Sequence, residues 1–307
     1  MNAGLFQRVY SRTVRIVAGI CTTAVFGINT LPHFFPEKTI AATQGIYEED
    51  VSDHHKTLLD EACKCMNIDE RCVKIVYTSG FSTNSAGSVF LPNKAVIGLP
   101  RNAVFKNPED VTRANITFEN KPIDWNSNAG KALIDSVLLD DDNIKFLIGH
   151  ELTHIKDLNF LQTTAHATGC FYGFYKAGVF LPTLVKGQTF FGIILMNVLI
   201  WTIGLTVYFD TRKQLAHRAE YIADEKSALL GRDYCTGGIS YMRKRLKNNR
   251  VIRKLRGVEG EQAYSKVGDY LQEDSTHPKR TDRLKKLKET MLEYDNNNNS
   301  VEEKTFR

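Results

Sequence analysis

Hydrophobic residues are distributed very unevenly along this chain. The segment spanning residues 189–209, TFFGIILMNVLIWTIGLTVYF, contains no charged residue. A helix of about 20 apolar residues is long enough to cross the hydrocarbon core of a bilayer. This segment therefore predicts a transmembrane helix.

A second apolar segment directly precedes the first. Residues 168–187, TGCFYGFYKAGVFLPTLVKG, are mostly apolar but include Lys176 and Pro182, and the final Lys-Gly pair marks a turn. Together the two segments predict a transmembrane helical hairpin over residues 166–209, with Lys176 near a membrane surface. A buried helical pair in a soluble protein is the alternative.

The N-terminus supplies a third apolar stretch. Residues 16–35 follow three arginines, and no acidic residue comes before Glu37. The segment 1–39 therefore fits a membrane anchor, a cleaved signal peptide or an organelle transit peptide, and these alternatives stay open. Its basic residues and those that follow residue 209 favour opposite orientations across a bilayer, so the topology also stays open.

The middle of the chain alternates between helical and strand-like patterns. Apolar residues at helical spacing predict a helix within residues 40–75, and the run VKIVYTSGF is typical of a β-strand. Two apolar runs around Pro92 and Asn93, SVFLPNKAVIGLP, predict a β-hairpin. The adjacent His54 and His55 point to different faces of their helix, and we expect both on the surface.

Helical patterns dominate the C-terminal part, over residues 210–232, 238–256 and 281–294. The polar tail, residues 293–307, predicts disorder. We expect an α+β fold, mostly helical with a small antiparallel sheet. Residues 40–165 and 210–292 would form one domain, interrupted by the hairpin.

Composition and charge exclude some classes of protein. The net charge of +5 is mild and no basic motif is interleaved with aromatic residues, so we expect no nucleic-acid partner. The six cysteines are too scattered for a disulfide scaffold. The basic run at residues 243–256 fits a solvated helix face, or a face that lies against the anionic lipids of a bilayer.

The stretch IGHELTHIKD carries the strongest candidate chemistry. On a helix His150 and His154 share one face and present two imidazole nitrogens to one metal ion. Glu151 lies beside them, where a general base would activate a zinc-bound water. The alternative is a helix that is polar on one side by chance.

A zinc site needs a third protein ligand, and HRAEYIADEKSALL offers one. Glu220 is a candidate ligand, and Asp224 is placed to hydrogen-bond a ligating histidine. Acidic pairs at this spacing are also common on solvated helix faces.

These motifs resemble the M48 family of zinc metallopeptidases. The resemblance rests on three blocks in order, FLIGHELTH, AEYIADEKSALL and STHPKRTDRLKKL, with an apolar hairpin between the first two. It implies a gluzincin-like zincin fold, one Zn²⁺ held by His150, His154 and Glu220, and Glu151 as the general base. It also implies that His277 stabilises the oxyanion and that Arg283 supports the site near Asp224.

The resemblance further implies a substrate-binding sheet edge at Asn84, Ser85, Ala86 and Gly87, although an ordinary buried hairpin explains these residues equally well. One position departs from the family, because membrane members often carry His or Asp where this chain has Asn159.

We therefore expect a zinc endopeptidase in a bacterial inner membrane or an organelle membrane, which cleaves unfolded or membrane proteins. A catalytically silent scaffold or adaptor with the same fold is the alternative.

Overall fold

The computed structural model describes residues 3–114, 116–118, 121–185, 189–272, 274 and 276–305. It divides into two compact units. The apolar unit comprises Met1–His33 and Leu158–Ala216, and the mixed unit comprises Phe34–Asp157 and His217–Arg307. The unit boundaries differ by several residues from the domain limits that the sequence suggests.

Most of the described chain is helical. The α-helices in chain order are α1 (Ala3–Phe34), α2 (Pro36–Gln44), α3 (Asp53–Cys65), α4 (Pro108–Arg113), α5 (Asn128–Val137), α6 (Asp141–Lys156), α7 (Asn159–Phe180), α8 (Phe190–Ala228), α9 (Arg232–Leu255), α10 (Val258–Ala263) and α11 (Arg280–Thr305). The strands are β1 (Val73–Thr78), β2 (Asn84–Ala86), β3 (Ala95–Pro100), β4 (Thr117–Phe118) and β5 (Lys121–Pro122). Short 3₁₀ turns occupy Glu70–Cys72, Arg101–Val104 and Leu181–Leu184.

The main sheet has three strands in the order β1-β3-β2 and is mixed rather than antiparallel. β1 runs parallel to β3, with Val73 opposite Ala95, while β2 runs antiparallel to β3. The antiparallel prediction is therefore wrong for β1. Both partners are short and nearly fully buried, a character typical of parallel strands.

The predicted hairpin is also shifted in sequence. Its first arm is β2, Asn84–Ala86, rather than the apolar run that begins at Ser88. Ser88 lies outside the sheet, and its buried hydroxyl donates a hydrogen bond to the Ile155 carbonyl of α6 at 2.8 Å. Phe90, further along the same run, is exposed.

Helix α6 lies at the centre of the mixed unit. Asp140 caps its first turn in a capping box with Asn143. One apolar face, which includes Ile148 and Leu152, packs in a cluster with residues of α3 and the sheet. Phe146 and Leu147 pack in a second cluster with residues of α9 and α11. Burial on both sides makes α6 a rigid support for its polar residues.

His55 differs from the surface position that we expect. It is buried in α3, and its Nδ1 lies 2.7 Å from the Tyr77 hydroxyl of β1. Burial lowers the pKa of His55, and the charge of His54 lowers it further. The adjacent His54 is exposed and pairs with Asp141 at 3.0 Å.

The apolar unit contains the predicted hairpin as two helices that pack side by side. Trp201 of α8 lies against Phe171 and Phe174 of α7, with ring centroids 5.9 and 5.8 Å apart. Gly204 of α8 leaves room for the Phe174 ring. The turn that we predict at Lys186 and Gly187 lies outside the described residues.

Within the described residues, two helices are long and apolar enough to cross a membrane, Arg15–Phe34 and Phe190–Ala228. α7 does not reach this standard, because glycine, threonine, tyrosine and Lys176 dilute its apolar residues. The N-terminal apolar segment is therefore a stronger candidate for a membrane span than α7 is. That α7 also spans a membrane stays a prediction.

The C-terminal tail differs from the disorder that the sequence predicts for residues 293–307. It is helical as far as Thr305. No proline or glycine interrupts α11 after Arg280, so nothing in the backbone forces the helix to end. Residues 306 and 307 lie outside the described part.

We predict that Gly237→Ala destabilises the mixed unit by about 1–3 kcal/mol, the usual cost of overpacking. A Cβ at Gly237 of α9 would collide with the Asp142 carbonyl of α6, which is backbone and has little freedom to yield. Urea denaturation measures the loss. Arg250→Ala, at an exposed position of α9, is the control, and an equal effect of both changes would refute the close approach.

We predict that the mixed unit loses stability as the pH falls below about 6.5, the pKa of an unperturbed histidine. The folded state holds the pKa of His55 below its ordinary value, so the unfolded chain takes up the proton first. Thermal denaturation at pH values from roughly one unit above to roughly one unit below the ordinary histidine pKa measures how steeply stability changes with pH. His55→Gln should reduce it, and an unchanged slope would exclude His55 as its source.

Candidate metal centre

Two helices, α6 and the C-terminal part of α8, bring the candidate ligands together. His150 and His154 lie one turn apart on α6, with their Nε2 atoms 3.1 Å from each other. Glu220 reaches them from α8, with Oε1 3.2 Å from His154 Nε2 and Oε2 3.6 Å from His150 Nε2. One ligand atom from each residue fits within 4.8 Å of the others.

A small residue on α6 allows α8 to approach this closely. A Cβ at Gly149 would lie 2.6 Å from the Ser227 hydroxyl oxygen. That hydroxyl donates a hydrogen bond to the Phe146 carbonyl at 2.8 Å. Gly149 and Ser227 therefore set the spacing of the two helices that carry the cluster. Neither residue stands out in the sequence, because their pairing is not local.

Asp224 and Arg283 support the cluster from behind. Asp224 Oδ1 lies 3.0 Å from His150 Nδ1, so the other ring nitrogen of His150 points toward Glu220. Arg283 of α11 donates two hydrogen bonds to Asp224, at 2.7 and 2.6 Å. Its remaining terminal nitrogen lies 2.8 Å from Glu220 Oε2. Asp224, Arg283 and Glu220 are all buried.

In this network the attraction between opposite charges outweighs the cost of burying them. Burial acts to raise the pKa of Glu220, but the Arg283 charge and a hydrogen bond with His154 outweigh it and hold that pKa below its ordinary value. Burial also acts to raise the pKa of Asp224, and the charge and hydrogen bonds of Arg283 again lower it. Burial would lower the pKa of Arg283, yet Asp224 raises it above its usual range. Both carboxylates are therefore anions.

The pKa of His150 follows the same balance. Burial acts to lower it, but the hydrogen bond from its ring to Asp224 and the charge of Glu220 raise it above the ordinary value. Asp224 Oδ1 lies 3.0 Å from Nδ1 and can only accept a proton, so it favours the ring proton on Nδ1; a neutral His150 then has its lone pair on Nε2, toward the cluster.

The other predicted site residues take different positions. Glu151 is buried next to His150. His277 is half-exposed, with Nε2 4.0 Å from Glu220 Oε1. Residues 84–87 lie at edge strand β2 and the turn after it, and Asn84 donates to Thr43 of α2 at 3.4 Å. A role for this edge in substrate binding stays a prediction.

The segment before α11 contains contacts that the sequence does not reveal. The Asp274 carbonyl lies 2.8 Å from His217 Nε2, and Thr276 Oγ1 lies 2.8 Å from His277 Nδ1. From the sequence we expect His217 to be solvated or interfacial. In the structure it pairs with a backbone carbonyl 57 residues further along the chain, which no local pattern reveals. Ser275, the first residue of the STHP block, lies outside the described residues.

The donor atoms fit a zinc ion. Two imidazole nitrogens and one carboxylate oxygen form a set that zinc accepts, and three protein ligands leave room for a fourth. Asp224 orients one ligand through its distal ring nitrogen, as supporting residues commonly do in metal sites.

Comparisons with known proteins identify a different family from the one the motifs suggest. The family model described as Transmembrane protein 177 matches residues 59–301. Transmembrane protein 177 of Xenopus laevis is 27% identical over 308 residues, which cover 91% of this chain and 94% of the relative. The Danio rerio protein is 26% identical over 280 residues, or 86% and 90% of the two chains. The Homo sapiens protein is 25% identical over 266 residues, or 83% of each chain. No solved structure matches.

These findings correct the functional hypothesis. The assignment to the M48 metallopeptidases is wrong, since the matching family is Transmembrane protein 177 and no M48 family matches. The zinc endopeptidase hypothesis is wrong with it, because this family is not known as a protease. The zincin identity of the fold, including that of a silent M48-like scaffold, has no support. The spacing of a metal-binding helix misled the prediction, because it reports local geometry and not a reaction.

The membrane location is confirmed by the matched family and by the two apolar helices. α8 is about 58 Å long at 1.5 Å per residue, nearly twice a hydrocarbon core of about 30 Å. Its charged residues begin at Asp210, so Glu220 lies beyond the apolar part. From the match over most of its length, this chain belongs to the Transmembrane protein 177 family.

Proposed function

We propose that this chain is a membrane-anchored metal-binding protein in which His150, His154 and Glu220 hold one zinc ion. The observation that carries the proposal is the convergence of their three ligand atoms within 4.8 Å, on helices that the core holds rigid. The role of the ion is to link α6 to α8. No reaction is assigned to it.

The types of ligand favour zinc over the other common metal ions. Magnesium and calcium prefer oxygen ligands, and copper(I) prefers the sulfur of cysteine or methionine. The cluster provides two nitrogens and one carboxylate oxygen, a combination common in zinc sites. The two buried cysteines, Cys63 and Cys235, belong to separate apolar clusters.

The geometry also favours a metal ion over a simple ion-pair network. When His150 keeps its proton on Nδ1 against Asp224, its Nε2 faces His154 Nε2 at 3.1 Å with a lone pair. Two imidazole nitrogens and a carboxylate oxygen that meet at one point are all electron donors. A proton can be shared in a hydrogen bond between only two of these three atoms. A zinc ion accepts electron density from all three.

Charge balance supports the same proposal. Glu220 and Asp224 carry two negative charges and Arg283 one positive charge, so these three side chains leave one net negative charge in a buried place. Buried charge without a counterion is costly. A divalent cation next to Glu220 supplies the positive charge.

We predict that the full chain, purified in detergent, retains one zinc ion and loses it when His150→Ala, His154→Ala or Glu220→Gln removes a ligand. Elemental analysis measures the zinc-to-protein ratio. His54→Ala, which changes an exposed histidine outside the cluster, is the matched control and should leave the ratio unchanged. A wild-type chain with no zinc after purification in zinc-containing buffer would overturn the proposal.

We predict that zinc stabilises the wild-type chain by about 4 kcal/mol when its free concentration is roughly a thousandfold above the dissociation constant. The ion binds the assembled cluster, and the unfolded chain lacks that cluster. Thermal denaturation with zinc and with chelator measures the shift. Glu220→Gln should remove most of it, and an equal shift in wild type and variant would place the binding elsewhere.

We predict that Arg283→Met destabilises the zinc-free chain by about 3–5 kcal/mol, because it leaves Asp224 and Glu220 buried without their counterion. Added zinc should recover part of this loss by neutralising Glu220. Urea denaturation with and without zinc measures both effects. Arg250→Met, at an exposed position, is the control. An Arg283→Met variant that recovers no stability when zinc is added would contradict the role of the ion.

A further inference from the structure

We infer that His277 is a fourth protein ligand, which closes the zinc site so that no coordination position is open to solvent. This inference rests on the proposed zinc binding by His150, His154 and Glu220. It changes the character of the site, because zinc with four protein ligands is structural, whereas catalytic zinc keeps one position for water or substrate.

The position of the His277 ring is the first argument. Its Nε2 lies 4.0 Å from Glu220 Oε1, the same oxygen that lies 3.2 Å from His154 Nε2. Two imidazole nitrogens therefore approach one carboxylate oxygen, one from α6 and one from the segment before α11. Donor atoms on a tetrahedral zinc ion lie about 3.3 Å apart when each bond is about 2.05 Å. His277 is not among the residues whose ligand atoms all lie within 4.8 Å of one another, so closure needs its ring to move toward the two histidines of α6.

The orientation of the ring is the second argument. His277 Nδ1 lies 2.8 Å from the Thr276 hydroxyl and 3.4 Å from Asp274 Oδ2. These polar groups hold the Nδ1 side and leave Nε2 directed at Glu220. Asp224 holds His150 Nδ1 in the same manner. A hydrogen bond on the distal nitrogen of a ligating histidine is the usual means of fixing its tautomer.

The segment around His277 is also tied to α8, the helix of Glu220. Asp274 Oδ1 accepts hydrogen bonds from the Thr276 and His277 backbone at 2.7 and 3.1 Å, which turns this segment back on itself. The Asp274 carbonyl pairs with His217 Nε2 at 2.8 Å. His217 lies less than one turn before Glu220 on α8, so the segment is positioned relative to that ligand.

A closed site also agrees with the family. An ion enclosed by three histidines and a glutamate has no free position for an attacking water, which peptide hydrolysis by zinc requires. The chain then keeps the histidine spacing of a metallopeptidase helix, in a family that is not known as a protease. Its zinc is expected to hold α6, α8 and the segment before α11 together.

Cobalt substitution tests the closure directly. The full chain in detergent is loaded with Co²⁺, and its visible spectrum is recorded before and after addition of azide, which binds an open coordination position. We expect no spectral change in the wild type and a clear change in His277→Ala, where the fourth position is opened. His54→Ala is the matched histidine control and should behave as the wild type.

A second variant gives a signal that a merely structural role of His277 would not produce. His277→Cys should introduce a sulfur-to-cobalt charge-transfer band, because the thiolate would take the place of the imidazole. His54→Cys should show no such band. The affinity for zinc should fall by at least about tenfold in His277→Ala, within the range seen when a supporting group of a metal site is lost.

The outcomes separate the two proposals. If azide changes the spectra of wild type and His277→Ala equally, and His277→Cys shows no charge-transfer band, the closure is overturned and the three-ligand site stands. If the wild-type chain binds no cobalt or zinc, the metal site itself is overturned, and the role of His277 is overturned with it.

Discussion

The buried contact of Arg283 with Asp224 and Glu220 is the interaction on which the candidate site depends. Two carboxylates four residues apart on one helix repel each other, and burial strengthens that repulsion. Arg283 supplies five fixed donors and binds both. It thereby keeps Asp224 available as the acceptor for His150 and Glu220 available as an anionic ligand. The C-terminal helix α11 is consequently part of the site, although His150 and Arg283 lie far apart in the sequence.

The helix that carries the histidines also forms the centre of the core. Ile148 and Leu152 of α6 pack toward α3 and the sheet while His150 and His154 face Glu220. Polar groups are costly to bury unless each has a partner, and here the partners come from α8 and α11. Packing and polar pairing thus restrain the same side chains, so that the ligand atoms are already close before any ion binds.

A short motif encodes only the local geometry of its own helix. Histidines four residues apart with an intervening glutamate determine which groups share a helix face. They carry no information about substrate access, about side chains that approach from other helices, or about the family to which the chain belongs. The zinc-binding geometry and the peptidase reaction are therefore separable. The comparisons reject the reaction, and the arrangement of His150, His154 and Glu220 remains to be explained.

The sequence by itself determined the features that depend on neighbours along the chain. These are most of the helices, the uncharged segment of α8 and the spacing of His150 and His154, all of which follow from helix periodicity and side-chain chemistry. Tertiary structure alone decided the parallel pairing of β1 with β3, the burial of His55 against Tyr77, and the contact of Asp274 with His217. These contacts join residues whose separation no local pattern records, and they form only because packing the core brings their helices and strands together.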